Sequence, residues 1–238
     1  MKAALVTGGA RRLGREVALA LARAGWSVAV HYRSREAEAE ATVRELGAIG
    51  VKAVALRADF RLPGSAPALV QEAAERLGRL DLVVHGASPF SPRDVADVTE
   101  DEWDETFAAV AKAGFFLAQA AAPALHETRG SIVYLSDVAA RQAWPRFVPH
   151  AAAKAALEAL VRNLAVALAP EVRVNAVAPG VVLPPDGMDP AEIERLVART
   201  PLKRRVEVAD VCDAVLFLAG NASVTGQVLD VDAGRALR

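Results

Sequence analysis

The chain has one cysteine, Cys212, in 238 residues. A lone cysteine excludes an internal disulfide and any cysteine-based zinc site, and no metal is expected. Cys212 lies in the apolar stretch VCDAVLFLAG and reads as a packing residue. An excess of either charge is also missing. With 28 basic and 29 acidic residues, the formal net charge is −1 and the pI is near 6.4. The basic residues are spread along the chain, so neither nucleic acid nor an acidic membrane surface is an expected partner. No apolar run reaches the roughly 18 residues of a membrane span, and the apolar part of the opening MKAALVTGG is too short for a signal peptide. The expectation is a soluble cytoplasmic protein. Hydrophobic residues make up 53% of the chain, enough for a sizeable core. The length suits one large α/β domain or two small ones. No linker, repeat or low-complexity tract divides the chain, so residues 1–238 are expected to form one domain.

What is present is an alternation of short apolar runs and longer amphipathic ones. AALVTG (3–8), SVAVHY (27–32), VKAVALRAD (51–59), LDLVVHGAS (80–88), GSIVYLSD (130–137), EVRVNAVAPG (171–180) and GQVLDVDAG (226–234) read as strands. Helical patterns follow at 13–25, 35–50, 65–78, about 99–126 and 149–169. This order predicts a Rossmann-type, doubly wound α/β fold, a seven-stranded parallel sheet with helices on both faces. Right-handed crossovers put all strand carboxyl ends on one edge, where such sheets bind ligands. TGGARRLG, HYRS, ADF, HGASPF, LSD and APG all fall at that edge.

TGGARRLG (7–14) lies between the first strand and the first helix. Gly8 and Gly9 permit a tight turn, and Gly14 permits close helix packing. The helix amino terminus beyond Arg11, Arg12 and Leu13 offers unpaired N–H groups to a phosphate. The second strand ends in HYRS, with no acid to hold a ribose 2′-hydroxyl. Arg33 and Ser34, beside Tyr32, can instead meet a 2′-phosphate, and Arg12 can help, because a guanidinium offers phosphate a planar fork. NADP(H) is therefore preferred to NAD(H), although Arg33 also reads as a solvated loop residue.

These stretches, with HAAAK, RVNAVAPG and TGQVLDVDAG in the same order, resemble the short-chain dehydrogenase/reductase family over essentially the whole length. The pteridine reductase branch is the nearest match. It shares TG-x-x-x-RLG and HYR, an aspartate where most members place the catalytic serine (here Asp137), and a phenylalanine that sandwiches the pterin against the nicotinamide (here Phe90). The resemblance implies that Asp59, next to Phe60, meets the adenine. It implies that Gly86, Ala87 and Ser88 lie along the cofactor and that Lys154 holds the nicotinamide ribose. Pro179, Gly180 and Val182 would then form the wall beside the nicotinamide. It further implies a homodimer or homotetramer formed through the long helices.

The departures fall at the reactive positions. The family's proton-donating tyrosine, four residues before the lysine, is His150, and Asp137 precedes it by the family's usual 13 residues. The asparagine that holds a relay water becomes Val110 or Ala111. Tyr134 and Tyr32 are not evident substitutes, and His85 reads as structural. His150 admits three readings: a working acid in an altered reductase, a relic in a protein that binds NADP(H) with little turnover, or a structural residue whose proton comes from the substrate or Asp137. Lys154 and the helix amino terminus disfavour its charge, and an ionised Asp137 favours it. Phe90, flanked by Pro89 and Pro92, reads as a stacking wall or a core cap. Trp144 lines the same cavity or packs between subunits.

The preferred function is NADPH-dependent reduction of a pterin-like heterocycle or a small carbonyl compound, with His150, Lys154 and Asp137 as catalytic residues. Phe90, Asp137 and Trp144 are assigned to the substrate. The alternative is a non-catalytic NADP(H)-binding protein or sensor. A 3-oxoacyl reductase is disfavoured, because an ionised Asp137 opposes a developing alkoxide. A small lid near 180–205 is expected over the substrate.

Overall fold

The structure, a computed structural model, describes residues 1–184 and 188–237. Its seven strands are β1 (Ala3–Thr7), β2 (Ser27–Tyr32), β3 (Ala53–Arg57), β4 (Leu82–His85), β5 (Ser131–Leu135), β6 (Arg173–Pro179) and β7 (Val228–Val231). They form one parallel sheet in the order β3-β2-β1-β4-β5-β6-β7. The order reverses between β1 and β4, which opens a crevice at the strand carboxyl ends.

The strands are apolar on both faces because both faces are covered. Along β1, Leu5 packs under α3 (Ser65–Leu77) and α5 (Ala113–Thr128), while Ala4 and Val6 turn to α1 (Arg12–Arg23). Along β5, Ile132 and Tyr134 face α5 and α6 (Val148–Ala167), while Val133 and Leu135 face the side of α1 and α8 (Val208–Gly220). Helices α2 (Glu36–Ile49) and α7 (Pro190–Ala198) complete the set.

The long helix predicted at 99–126 is two helices joined by a π turn. The segment α4 (Glu100–Phe107) starts at a Thr99–Glu102 capping box and passes through a π turn at Ala108–Lys112 into α5. By length and composition alone, Glu100–Thr128 could cross a membrane. In the fold, however, its Val110, Leu117, Ala121 and Leu125 are buried in the core beside the sheet. The π turn frees a backbone carbonyl next to the end of β4, as such turns often do at functional sites. Part of the expected lid, residues 185–187, lies outside the described residues; α7 and the turn after it occupy the remainder.

Candidate active site

One cavity of about 1800 Å³ lies along the carboxyl edge of the sheet, and the residues expected to act in catalysis, hold the cofactor or meet the substrate line it, with Gly9 of the phosphate turn outside the lining. Its floor is the turn after β1. Gly8 has φ +68°, and a Cβ there would come 3.0 Å from the backbone of Ala87. A Cβ on Gly14 would come 2.2 Å from the carbonyl oxygen of Gly8. Only glycine lets these backbones meet. Helix α1 then begins without a side-chain cap, so its first-turn N–H groups are available at the groove. A glycine-only cradle at an uncapped helix start fits a dinucleotide pyrophosphate.

Two buried histidines support this cradle: His85 is structural, as its place at the end of the fourth strand suggested, and His31 is a support that sequence reasoning missed. The Gly8 N–H donates to His31 Nδ1 at 3.1 Å, so the ring proton sits on Nε2 and is donated to the Ala58 carbonyl at 3.2 Å. Phe60 stacks on the same ring at 4.6 Å. Burial pushes the His31 pKa down to about 4, and the ring stays neutral. His85 Nε2 likewise donates to Val110 O of the π turn at 3.0 Å. Its Nδ1 therefore accepts from the Thr7 hydroxyl at 2.7 Å, and that oxygen in turn accepts from the Gly86 and Ala87 N–H groups. Burial lowers the His85 pKa to about 3. Leaving either backbone group unpaired would cost about 1–3 kcal/mol. The available signal is a histidine next to an apolar run in each of two strands, VAV in β2 and LVV in β4.

At the adenine end, Arg33 is ion-paired with Glu105 of α4, and Arg57 Nε donates to the Arg33 carbonyl at 3.2 Å. Asp59 is gripped by Arg61, with contacts at 3.0, 3.1 and 2.5 Å, which hold its carboxyl at about 2. Ser34 is exposed at the rim. Tyr32 bonds Glu36 at 3.0 Å. Arg12 departs from the expectation that it assists Arg33. Its φ of 50° turns the side chain across the crevice, and its guanidinium donates to the Leu183 and Pro184 carbonyls at 2.5 and 3.1 Å. Arg12 therefore ties the glycine loop to the segment after β6. On that side Gly180 is required again, because a Cβ would lie 2.8 Å from the Cα of Asp232. Pro179 and Val182 are buried beside it.

At the reactive end, His150 is the third residue of α6, after Pro149. Its Nε2 lies 3.4 Å from Asp137 Oδ2, and its Nδ1 lies 3.3 Å from both Ser88 Oγ and Pro89 O. A carboxylate only accepts, so Nε2 carries a proton. Asp137 is fixed by the Ala139 N–H at 2.8 Å. One turn along α6, the buried Lys154 amine donates to Leu135 O at 2.6 Å, and burial lowers its pKa to about 8 against the opposing pull of Asp137 and Glu158. Behind it, burial raises the Glu158 pKa, and its carboxyl is held by the Ser136 hydroxyl at 2.9 Å and Arg141 at 3.3 Å.

Phe90 meets the His150 ring edge-on at 4.9 Å and stacks on Phe147 at 4.5 Å, with Trp144 6.5 Å away. Phe147, the residue just before α6, is a member of this wall that the sequence did not flag. Tyr134 is sealed in the core with its hydroxyl on Gly114 O at 2.9 Å, and burial raises its pKa. It cannot replace the missing tyrosine. Val110 is fully buried and Ala111 partly buried, and neither side chain can hydrogen-bond a relay water.

Residues 8–236 match the family model described as enoyl-(acyl carrier protein) reductase. The chain is 34% identical to the 3-oxoacyl-[acyl-carrier-protein] reductase FabG of Staphylococcus aureus over 98% of its own length and 97% of the relative's. The alternative dihydrofolate reductase FolM of Brucella canis, solved with NADP, superposes with a TM-score of 0.90 at 36% identity, covering 100% of this chain and 95% of that one. A blue fluorescent protein from a metagenomic library, solved with NADPH, matches with a TM-score of 0.90 at 34% identity, covering 99% and 98% of the two chains.

Proposed function

The chain belongs to the short-chain dehydrogenase/reductase family, and from that membership we propose that it is an NADPH-dependent reductase of a pterin-like heterocycle. His150 stands in it where the family has its tyrosine. The meeting of His150 and Asp137 beside Phe90 carries this reading. His31 and His85 meet only neutral partners, whereas His150 faces a carboxylate. Here the ring is bonded at both nitrogens and its edge meets the aromatic wall.

NADPH, when bound, supplies a hydride from its nicotinamide. The first-turn N–H groups of α1 would hold the phosphates above the Gly8 turn, with Gly86, Ala87 and Ser88 along the cofactor, and Arg33 would take the 2′-phosphate. Lys154 binds the nicotinamide ribose. Phe90, Phe147 and Trp144 form a flat, apolar wall suited to a conjugated ring. The Asp137 carboxylate accepts from ring N–H groups and keeps His150 oriented, and the protonated imidazole donates to the reduced C=N. The same carboxylate works against a carbonyl substrate, whose developing alkoxide it repels. The FolM similarity favours the heterocycle independently, since that relative is an alternative dihydrofolate reductase. Self-association is assigned to α4–α5 and α6, where Trp103, Phe115, Phe116 and Val148 are exposed.

A second reading, an NADP(H) binder without turnover, is favoured by Val110, whose buried side chain cannot hold a relay water and whose carbonyl is taken by His85. NADPH oxidation with a panel of pterins and small carbonyls, run for the native protein beside His150→Tyr with binding confirmed for both, separates the two. Turnover by the native protein supports the reductase and identifies the substrate class. Turnover only with tyrosine restored supports the binder.

A further inference from the structure

Behind the reactive end lies a buried carboxyl that the proposed reaction does not use. His150, Lys154 and Glu158 follow one another at four-residue spacing on one face of α6, and all three are buried. Glu158 is about 12 Å along the helix from His150. Its two oxygens take different partners. Oε1 accepts from the Ser136 hydroxyl at 2.9 Å, and Arg141 Nε lies 3.3 Å from Oε2. Both partners are donors, and a carboxylate, which only accepts, can meet the two at once.

Ser136 and Arg141 are the two ends of one short segment, and Asp137 lies between them. Ser136, the residue after β5, is fixed to the sheet by its N–H, which donates to the Val177 carbonyl of β6 at 2.7 Å. Asp137 leads into the tight turn Val138–Ala140, and Arg141 closes that turn with its N–H on Val138 O at 3.1 Å. Arg141 is held in turn by Asp230 of β7, at 3.0 Å from its Nη1. One carboxylate of α6 therefore grips both ends of the segment that carries Asp137, and α6 also carries His150. The groups that meet at 3.4 Å are set against each other by a third residue two turns away.

Stability alone does not account for this carboxylate. A well-packed apolar side chain of similar size often matches or exceeds a buried ion pair. Burial pushes the Glu158 pKa up, against the pull of Ser136 and Arg141, so keeping the group ionised here is unfavourable. What an apolar side chain lacks is the direction of the two bonds.

We propose that Glu158 is a positioning residue: by bonding Ser136 and Arg141 it holds Asp137 opposite His150. Its effect on turnover rests on the reductase reading, whereas its effect on the His150 ring does not.

Two variants separate position from charge. Glu158→Met fills similar space and makes neither bond. Glu158→Gln keeps both and loses the charge, its amide oxygen accepting from Arg141 and its NH2 donating to the Ser136 oxygen. The first readout needs no substrate. Long-range 1H–15N spectra of the NADP-loaded protein are recorded at about pH 8.5, two units above the ordinary histidine value. The His150 ring should show one fixed tautomer, protonated on Nε2, in native protein and Glu158→Gln. In Glu158→Met it should exchange between tautomers, while the His31 and His85 signals stay the same. The second readout is kcat with the substrate found in the panel. Glu158→Met should lower it about tenfold, as Asp137→Asn does, and the double variant should fall no further, since one residue acts through the other. NADPH affinity should stay within about twofold throughout.

An unmoved ring in Glu158→Met, or additive losses in the double variant, overturns the proposal. Disturbance of His31 and His85 along with His150 also overturns it, because the role would then be general packing. So does a Glu158→Gln that falls as far as Glu158→Met, which would make the charge the cause. If the native protein turns over nothing in the panel, the reductase reading fails and the ring spectra decide the positioning role by themselves.

Discussion

His150 Nε2 faces Asp137 Oδ2 at 3.4 Å, joining the start of α6 to the end of β5. This contact makes a histidine at the tyrosine position chemically useful. A protonated ring would give Asp137 a charge-assisted bond and hold its second proton toward Ser88 and Pro89. His150→Ala is therefore expected to lower kcat at least 100-fold, the lower end of what a general acid contributes, while NADPH still binds. Asp137→Asn should lower kcat by about tenfold, through lost orientation of the ring and of the substrate. Steady-state kinetics with the substrate found in the panel, alongside fluorescence titration of NADPH, checks both. An unchanged kcat in His150→Ala would remove histidine from the proton transfer.

Arg33 and Glu105 make a second expectation. Their ion pair spans the crevice between the β2–α2 loop and α4, so a 2′-phosphate must compete with Glu105 for the guanidinium. Arg33→Ala should weaken NADPH by at least tenfold and NADH little, since only NADPH has the phosphate. Glu105→Gln should tighten NADPH up to about fivefold, because an exposed pair is worth at most about 1 kcal/mol. Dissociation constants for both cofactors decide it. Equal losses for NADPH and NADH in Arg33→Ala would mean that no 2′-phosphate contact exists there.

The parts of this arrangement that the sequence shows are those with a local cause. Strands apolar on both faces, glycines where a Cβ would strike backbone, and polar loops at one sheet edge are all properties of short windows. The His150–Asp137 meeting was inferable because its spacing matches a family pattern. The hidden parts are pairings across the fold. Arg33 meets Glu105 from 72 residues away. The direction of Arg12 depends on a positive φ that no neighbouring residue announces. The π turn has the same apolar spacing as an α-helix, so only the carbonyl it gives to His85 betrays it. Arg235 comes from the last turn of the chain and meets Trp144 only because β7 ends beside β6.

His31 and His85 set the acid limit. Their folded values, about 4 and about 3, lie below the ordinary 6.5, with burial as the main cause. Above pH 6.5 both states carry neutral rings and the effect is absent. Below it the unfolded chain binds protons that the native chain refuses, so stability falls with pH until the folded values are reached. By pH 4 each histidine should remove about 3 kcal/mol, a large share of a typical 5–15 kcal/mol. Urea unfolding at pH 7, 5.5 and 4.5 should show this slope, and His85→Asn, which keeps a donor for Val110 O, should lose about half of it. An unaltered slope in that variant would place the acid sensitivity elsewhere.

Lys154 governs the alkaline side. Burial lowers its pKa from 10.5 to about 8, against the pull of Asp137 and Glu158. Below pH 8 both folded and unfolded chains hold the proton, and the buried charge destabilises the fold by its full amount, about 3 kcal/mol. Between pH 8 and 10.5 the unfolded chain keeps a proton that the native chain has released, so native stability rises with pH. Lys154→Met lacks this titration but also loses the bond to Leu135 O. The informative quantity is therefore the change in the stability difference between the two proteins from pH 7 to 10, not its absolute value. Native protein should gain up to about 3 kcal/mol on the variant over that range. Saturating NADP should shift the gain to higher pH, because ribose hydroxyls accepting from the amine favour its charged form. Parallel pH profiles for native protein and variant would mean that the amine is already solvated, and its assignment to the cofactor ribose would lose its electrostatic support.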